Sequence, residues 1–210
     1  GFIGSNIIRL LSNNTNFNFF KVDRNTIDLF SLDDVERYIE TNQIDAVIHC
    51  AIEGGTRLKQ DTCEMFYKNI LMYENLIKFN DKYKIFINFG SGAEFDRRYD
   101  ISNVNECDMF NMIPTDFYGL SKNIISKLST NYLGCINLRI FGCFYYNELS
   151  TRFIKNNINN YINHKPIIIH QDKYMDFFYM EDLVNVINHL LNNPQLKYKD
   201  INMSYLKKYK

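Results

Sequence analysis

A tyrosine and a lysine, four positions apart, form a pair that could carry out chemistry. Tyr118 and Lys122 stand at the ends of the pentapeptide YGLSK, inside a segment whose apolar spacing predicts a helix over residues 117–133. This separation places both side chains on one helix face, one turn apart. Because a nearby ammonium favours the phenolate form, Lys122 is expected to lower the pKa of Tyr118. A phenol tuned in this way can exchange a proton with an alcohol or a carbonyl near neutral pH.

Ser91 adds a third polar group and favours this chemistry over the alternative, a solvated helix face. The serine lies in the tripeptide GSG, directly after an apolar segment that predicts a strand over residues 84–89. Parallel strands present functional groups at their carboxyl ends, so a hydroxyl here can hydrogen-bond the substrate oxygen that Tyr118 protonates. A plain turn serine is the alternative for this position. Ser91, Tyr118 and Lys122 are therefore the candidate catalytic residues.

The amino end has the pattern of a dinucleotide-binding turn. Gly1, Phe2, Ile3 and Gly4 precede apolar residues at helical spacing, so the two glycines open a helix. One glycine would let the backbone approach a pyrophosphate, and the helix dipole would turn its positive end toward the phosphates. A plain turn is the alternative. Since a doubly wound sheet needs a strand before this turn, the sequence is expected to be a fragment that lacks it.

An acidic and a basic residue follow the next predicted strand, residues 17–22. Asp23 can bind the 2′-hydroxyl of an adenosine ribose, and Arg24 can accept a 2′-phosphate. An ordinary loop carboxylate is the alternative for Asp23. The adjacent pair leaves NAD and NADP open as the cofactor.

Strand-like and helix-like segments alternate along the chain, which predicts an α/β fold: a doubly wound parallel sheet of Rossmann type. Strands are predicted over residues 17–22, 45–50, 84–89, 135–141 and 166–170. Helices are predicted over residues 32–41, with Ser31 as N-cap, and over 63–80, 117–133, 150–161 and 181–191. The segment 96–117 has no clear period and is a candidate functional loop.

The domain organisation follows from the same alternation. Residues 1–144 are expected to form the dinucleotide-binding domain without its first strand. Residues 145–174 would begin a small substrate-binding part, and residues 175–210 would return to the first domain and end before it is complete.

Composition argues against nucleic-acid and membrane partners. The chain has 24 basic and 24 acidic residues and no net charge, so it offers no basic field to a polyanion. No apolar run reaches the ~18–20 residues that span a bilayer, and no spacing of histidines, cysteines and acids predicts a metal site. The five cysteines are irregularly spaced without a C-x-x-C pair, which indicates free thiols in a reducing compartment such as the cytoplasm.

The order of the motifs resembles that of a known family. The chain carries, in sequence, the Gly1–Gly4 turn, DAVIHCA ending at Ala51, Asn69, Ser91, Tyr118 with Lys122, LRIFG over 138–142 and DFFYMED over 176–182. This series resembles the extended short-chain dehydrogenases/reductases, the NAD-dependent epimerase/dehydratase family that modifies nucleotide sugars, across essentially the whole chain. The pairs DL at 28–29 and GG at 54–55 are most similar to the branch of GDP-fucose synthases and related ketosugar reductases.

The resemblance implies a role for each matching residue. Tyr118 would be the acid/base, Ser91 would orient the sugar oxygen, and Lys122 would bind the nicotinamide ribose. The other implied cofactor-binding residues are Gly1, Phe2, Ile3 and Gly4 at the pyrophosphate, Asp23 or Arg24 at the adenosine ribose, and Cys50, Ala51 and Asn69 along the cofactor channel. Arg139 would be structural. The family also implies a homodimer, formed by the helices predicted at 63–80 and 117–133.

Departures from the family pattern reduce the number of reactions that the chain is expected to catalyse. Dehydratases carry an acidic pair directly after the serine, whereas this chain has Gly92 and Ala93, with Glu94 one place too far. GDP-fucose synthases use a cysteine at the position of Ala93 and a histidine in a later loop, but residues 141–163 contain no histidine. Dehydration and double epimerisation are therefore not expected, and hydride transfer remains.

A second departure concerns the grip on the nucleotide. Many members place an arginine before the aspartate of the DFxY segment, where this chain has Met175. Lys173 or Arg152 could substitute for it.

The predicted function is an NAD(P)-dependent reductase or 4-epimerase of a nucleotide-linked ketosugar, acting at the sugar C4. Two alternatives remain: a non-catalytic dinucleotide-binding scaffold, and a reductase of a carbonyl substrate that carries no nucleotide.

Overall fold

The computed structural model describes residues 1–12, 16–55, 60–96, 98–99, 101–169 and 174–207. The helices in these ranges are α1 (Phe2–Leu11), α2 (Leu32–Asn42), α3 (Cys63–Ile77), α4 (Phe117–Ser129), α5 (Phe153–Ile162) and α6 (Met180–Asn192). The strands are β1 (Ala46–His49), β2 (Ile85–Ser91), β3 (Cys135–Ile140), β4 (Cys143–Phe144), β5 (Phe178–Tyr179) and β6 (Asp200–Met203). Short 3-10 helices lie at Asn80–Lys82, Gly92–Glu94 and Glu106–Asn111.

The central sheet consists of four parallel strands in the order β1-β2-β3-β6. Their register aligns one polar residue from each strand: His49 is opposite Asn88, Asn88 is opposite Asn137, and Asn137 is opposite Asp200. Strands β4 and β5 form a separate parallel pair. The carboxyl ends of β1, β2 and β3 therefore share one edge of the sheet, which is where ligands bind in folds of this class.

Helices cover both faces of the sheet, which confirms the doubly wound α/β class. On one face, α1 and α6 pack over a core that includes Ile87 and Leu138. On the other face, α2, α3 and α4 pack around a core that includes Val35 and Phe86. Both faces of a covered parallel sheet must be apolar, and β3 is accordingly buried at every position.

Capping residues fix where the helices begin. Ser31 caps α2 as predicted, because its hydroxyl accepts the Asp34 N–H at 3.3 Å. Asp116 caps α4 and accepts the Gly119 N–H at 2.8 Å. The helix predicted at 63–80 ends at Ile77, and the one predicted at 117–133 ends at Ser129. The prediction at 150–161 becomes Phe153–Ile162.

The strand predicted at 17–22 is wrong. The segment alternates in burial, with Phe17 and Phe19 packed against the core. It is nevertheless not a strand, because a strand requires backbone hydrogen bonds to a neighbour. Among the described residues β1 is the edge of the sheet, and residues 17–22 are not paired with it.

The strand predicted at 166–170 is also wrong over its described residues, 166–169; His170 lies outside the described residues. The amide of Asn157 takes both backbone groups of Ile168, donating to its carbonyl at 3.1 Å and accepting its N–H at 2.9 Å. A side chain therefore satisfies the backbone that a neighbouring strand would have paired. Conversely, β6 was not predicted, because its sequence DINM is short and half polar.

All five cysteines lie in the described ranges as free thiols. Across the described part of the chain, none of the helices combines the length and apolar character that crossing a bilayer requires.

Candidate active site

The first turn of α4 packs directly against the turn that follows β2. A side chain at Gly119 would meet the Ala93 carbonyl oxygen, since an added Cβ would lie only 2.6 Å from it. Only glycine permits this approach without a shift of the backbone. Gly119 is the neighbour of Tyr118, and Ala93 lies two residues after Ser91, so the contact brings these two candidate catalytic residues to the same edge of the sheet.

Lys122 is buried at this edge. Its ammonium donates to the Phe89 carbonyl at 2.6 Å, two residues before Ser91. Burial lowers the pKa of Lys122 to about 8, while Glu94 and Cys50 act in the opposite direction. A buried lysine with few counter-charges is typical of functional sites rather than of solvated helix faces. Lys122 therefore binds the strand that ends at Ser91.

The ring of Tyr118 lies against the glycine pair at 54–55. A Cβ added to Gly55 would lie 2.6 Å from the ring, and this glycine has φ +69°, which favours glycine on conformational grounds as well. The pair belongs to the loop that follows β1. This loop therefore forms one wall beside the phenol.

The amino-terminal turn reaches the same edge. A Cβ added to Gly4 would lie 3.3 Å from the Cys50 Cβ, so the start of α1 packs closely against the end of β1. Gly1 is exposed at the N-cap of α1, whereas Phe2 and Ile3 pack on the hydrophobic core. The start of α1 fits a dinucleotide pyrophosphate in its chemistry, because it offers a helix N-terminus and two glycines without side chains.

Cys50 and Ala51 directly follow β1 and are half-buried. Burial raises the pKa of the Cys50 thiol to about 12. The thiol is therefore neutral near pH 7 and suited to lining a channel rather than to acting as a nucleophile.

Asp23 and Arg24 lie on an exposed turn, and only Arg24 reaches across to the loop after β1. The Asp23 carboxylate accepts the Asn25 N–H at 3.0 Å and the Thr26 hydroxyl at 3.3 Å. The Arg24 guanidinium pairs with Glu53 at 2.6 Å and remains 85% exposed. The carboxylate is thus engaged in its own turn, while the guanidinium faces solvent beside the loop after β1.

Asn69 is placed inside the protein, at 1% exposure. Its amide accepts the Glu53 N–H at 2.8 Å and donates to the Glu53 carbonyl at 3.0 Å. It also donates to Ser121 at 3.3 Å. These hydrogen bonds of Asn69 therefore fix the loop after β1 against α3 and α4.

His49 is buried between the rings of Tyr73 and Phe86, at centroid distances of 6.4 and 6.1 Å. Burial, with a contribution from Lys122, lowers its pKa to about 3. The imidazole is neutral at physiological pH, as expected of a core histidine.

Sequence reasoning missed Glu94 as part of the site. Its buried carboxylate accepts the Ser91 N–H at 2.8 Å with one oxygen and binds Arg139 at 2.6 Å with the other. Arg139 is fully buried and also pairs with Asp200 at 2.5 Å, which confirms its structural role. No sequence signal links Glu94 to Arg139, since they lie 45 residues apart on different elements.

Of the residues considered for the nucleotide phosphates, two positions lie within the described ranges. Met175 is 38% exposed. Arg152 is the N-cap of α5 and pairs with Glu148 at 3.5 Å. Lys173 lies outside the described residues.

The segment 96–117, predicted to be a functional loop, contains the 3-10 helix Glu106–Asn111. The Met109 carbonyl of that helix accepts a hydrogen bond from Asn123 of α4 at 3.1 Å.

Comparison with a protein-family model identifies the family of this chain. A family model described as the NAD dependent epimerase/dehydratase family matches residues 1–204. Among curated proteins, no sequence matches the chain.

Several solved structures share the fold. A GDP-D-glycero-L-gluco-heptose synthase from Campylobacter jejuni, crystallised with NADPH, is 15% identical, with a TM-score of 0.79 over 100% of this chain and 78% of that one. A GDP-L-fucose synthetase from Naegleria fowleri bound to NADP is 14% identical, with a TM-score of 0.79 over 100% and 71%. A dTDP-4-dehydrorhamnose reductase from Clostridium acetobutylicum is 18% identical, with a TM-score of 0.76 over 98% and 71%. At these identities the likeness establishes the fold.

Proposed function

We propose that this chain, which belongs to the NAD dependent epimerase/dehydratase family, is an NAD(P)-dependent reductase or 4-epimerase of a nucleotide-linked ketosugar. Two observations support the proposal: Lys122 binds the Phe89 carbonyl of β2, and the first turn of α4, which carries Tyr118, packs on the turn after Ser91. A family fold alone does not specify chemistry, whereas this arrangement supplies each group that carbonyl reduction requires.

The cofactor would lie across the carboxyl edge of the sheet. Gly1 and Gly4 would admit its pyrophosphate at the start of α1, and Cys50 and Ala51 would line the path toward the reaction centre. When bound, the nicotinamide would supply a hydride to the sugar C4 or accept one from it.

The side chains would manage the proton. Ser91 would hydrogen-bond the C4 oxygen and hold it near the Tyr118 phenol. During reduction the carbonyl carbon gains the hydride, the C–O double bond becomes a single bond, and Tyr118 gives its proton to the oxygen. In the oxidative direction Tyr118 would receive that proton. The buried Lys122 ammonium would stabilise the phenolate left after proton transfer.

Asn69 would act through the loop after β1 rather than by direct contact with the cofactor. Its two hydrogen bonds with Glu53 fix the loop that also carries Gly55, against which the Tyr118 ring lies.

Cofactor choice would rest on Arg24. The Asp23 carboxylate is engaged in its own turn, whereas the Arg24 guanidinium remains exposed although it pairs with Glu53. A 2′-phosphate is therefore the better partner, and we expect a preference for NADP(H). Arg24→Ala is expected to weaken NADPH binding about 10-fold, the lower end for a hydrogen bond to a charged group, and to leave NADH binding nearly unchanged.

NADPH and NADH fluorescence titrations would measure this change. Lys21→Ala is the matched control, since it removes an equal charge from the same exposed segment. An equal loss of NADPH affinity in both variants would show a general charge effect instead of a 2′-phosphate contact.

The substrate-binding part would start at residues 145–174. Within this range α5 carries no buried side chain among its described residues. Arg152, at the N-cap of that helix, is the described cation that we propose for the nucleotide phosphates.

A homodimer is proposed from the outer faces of α3 and α4. Tyr67 is 66% exposed on α3, near Leu71 and Phe117, which are also exposed. Contiguous apolar surface of this kind marks interaction sites.

Tyr67→Glu is expected to convert a dimer to a monomer in sedimentation velocity, because a charge would be buried in the interface. Tyr161→Glu, at a comparably exposed tyrosine on α5, should leave the sedimentation coefficient unchanged; equal behaviour of both variants would refute the interface.

Absorbance at 340 nm tests the proposed function. NADPH and NADH are each mixed with the protein and with a panel of 4-keto sugars linked to GDP or dTDP. Oxidation of the cofactor with one of them identifies a reductase. The corresponding 4-hydroxy sugars are tested in parallel, because a C4 carbonyl has no configuration to invert. Inversion of their C4 hydroxyl without net change of the cofactor identifies a 4-epimerase. Cofactor binding with neither reaction would refute the enzyme in favour of a dinucleotide-binding scaffold.

A further inference from the structure

A network of buried charges lies directly beneath the proposed reaction centre. Arg139 of β3 is at its middle and donates to Glu94 at 2.6 Å, Asp200 at 2.5 Å and Asn202 at 2.8 Å. Two carboxylates therefore form ion pairs with one guanidinium. Either carboxylate alone would neutralise the arginine, so the presence of both calls for a second role for one of them.

Glu94 differs from Asp200 in what its second oxygen binds. Oε2 pairs with Arg139, and Oε1 accepts the Ser91 N–H at 2.8 Å. The Ser91 hydroxyl in turn accepts the Ala93 N–H at 3.2 Å, which closes the turn. A side chain at Gly90 would collide with Oε1, so the close approach of Glu94 to β2 depends on that glycine. Asp200 instead accepts a hydrogen bond from Asn137 of β3 at 2.9 Å with its second oxygen.

Glu94 is also joined to the segment that carries Lys122. Asn123, the next residue of α4, donates to the Glu94 carbonyl at 2.8 Å. The Lys122 ammonium binds the carbonyl of Phe89, which precedes Gly90 on β2. The ammonium and the carboxylate thus lie over consecutive residues of one strand.

The groups that face Lys122 from the packed elements are few. Cys50 and His49 face it from the end of β1, and both are neutral near pH 7 because burial raises the pKa of the thiol and lowers that of the imidazole. Tyr118 lies one turn earlier on α4. Among the described carboxylates, Glu94 favours the charged form of Lys122. Burial raises the pKa of Glu94, while the Arg139 guanidinium and the Ser91 N–H act in the opposite direction.

We propose that Glu94 is a positioning residue of the reaction centre, whose one carboxylate anchors the turn that carries Ser91 and supplies the negative charge beside Lys122. The inference rests on the proposed function for the roles of Ser91 and Lys122. It goes beyond that function because it gives Glu94, a member of the Arg139 ion network, a second effect: its charge stabilises the ammonium form of Lys122.

A titration of Lys122 tests the charge directly and needs neither substrate nor cofactor. The chain is labelled with ¹³C at lysine Cε, the Lys122 signal is assigned by its loss in Lys122→Arg, and its midpoint is followed by NMR. The wild-type midpoint is expected near pH 8. In Glu94→Gln it should fall by about one to two pH units, because the Glu94 anion no longer favours the ammonium.

Asp200→Asn is the matched control, since it removes the other carboxylate of Arg139 and touches neither Ser91 nor Lys122. Its Lys122 midpoint should stay within about half a pH unit of the wild-type value. Equal shifts in the two variants, or no shift in Glu94→Gln, would overturn the proposal and leave Glu94 as a structural partner of Arg139.

Glu94→Asp separates anchoring from charge and serves if Glu94→Gln fails to fold. The shorter carboxylate keeps the charge but withdraws from the Ser91 N–H. The Lys122 midpoint should remain near that of the wild type while kcat for the ketosugar falls about 10-fold, by the loss of one charged hydrogen bond. A midpoint as low as that expected for Glu94→Gln, or an unchanged kcat, would contradict the proposal.

The activity of the chain and the effect of Glu94 on Lys122 can be refuted separately. A protein that shifts its Lys122 midpoint only in Glu94→Gln, yet converts no ketosugar, would refute the proposed function and retain the electrostatic link. A protein that reduces a ketosugar through Tyr118, yet shows equal midpoints in Glu94→Gln and Asp200→Asn, would retain the function and refute the link.

Discussion

Tyr118→Phe is expected to lower kcat for ketosugar reduction by about 10²–10⁴-fold, the range measured for loss of a general acid. The variant removes one oxygen and keeps the ring, so its packing against Gly55 should persist. Loss of the proton donor should therefore lower kcat and leave the affinity for the cofactor nearly unchanged. Steady-state rates from absorbance at 340 nm, together with NADPH fluorescence titration, measure both quantities.

Tyr73→Phe provides the control for Tyr118→Phe. Tyr73 is a buried tyrosine of α3 whose hydroxyl shares a hydrogen bond of 2.9 Å with Ser129, away from the proposed centre. Its loss should lower stability by about 1 kcal/mol, the typical value for one hydrogen bond, and should leave kcat within a factor of two or so. Tyr118→Phe with full activity would exclude the phenol as the proton donor.

Arg139→Met is expected to destabilise the fold by about 3–5 kcal/mol, because it leaves Glu94 and Asp200 as buried charges without their partner. A methionine of similar length keeps much of the packing but cannot donate a hydrogen bond. For a chain of this size the melting temperature should fall by about 10 °C or more. Urea unfolding followed by circular dichroism measures the free-energy change.

Arg37→Met is the matched control for Arg139→Met. Its guanidinium pairs with Asp34 at 3.2 Å and is 72% exposed, so the pair lies in water. Exposed pairs of this kind contribute about 0–1 kcal/mol, and the variant should unfold nearly like the wild type. If both variants lost the same stability, the Arg139 network would not be the determinant that its burial indicates.

The sequence predicted the helices better than the strands, for a physical reason. Helix signals are local: apolar spacing and the capping hydroxyl of Ser31 were sufficient for α2. Strands depend on partners elsewhere in the chain. The segment 17–22 has the alternation of a strand and lacks a described neighbour, whereas β6 has a neighbour and only a weak pattern.

The same distinction applies to the candidate site. The spacing of Tyr118 and Lys122 is local to one helix, and Ser91 follows a clear apolar strand, so the sequence alone was enough to propose all three. The link from Glu94 to Arg139 depends on where β2 and β3 meet in space. The pairing of Arg24 with Glu53 likewise joins two loops that are distant in sequence. Neither contact leaves a spacing that a single sequence reveals.

Transfer of deuterium from the cofactor tests the central claim most directly. The protein is loaded with NADPH that carries deuterium at the nicotinamide C4, in each of its two positions, and is then given the 4-keto nucleotide sugars of the panel. The proposed chemistry predicts that one labelled form, and not the other, delivers deuterium to the sugar C4, as seen by mass spectrometry. A converted sugar without deuterium at C4 from either form would contradict hydride transfer at this site.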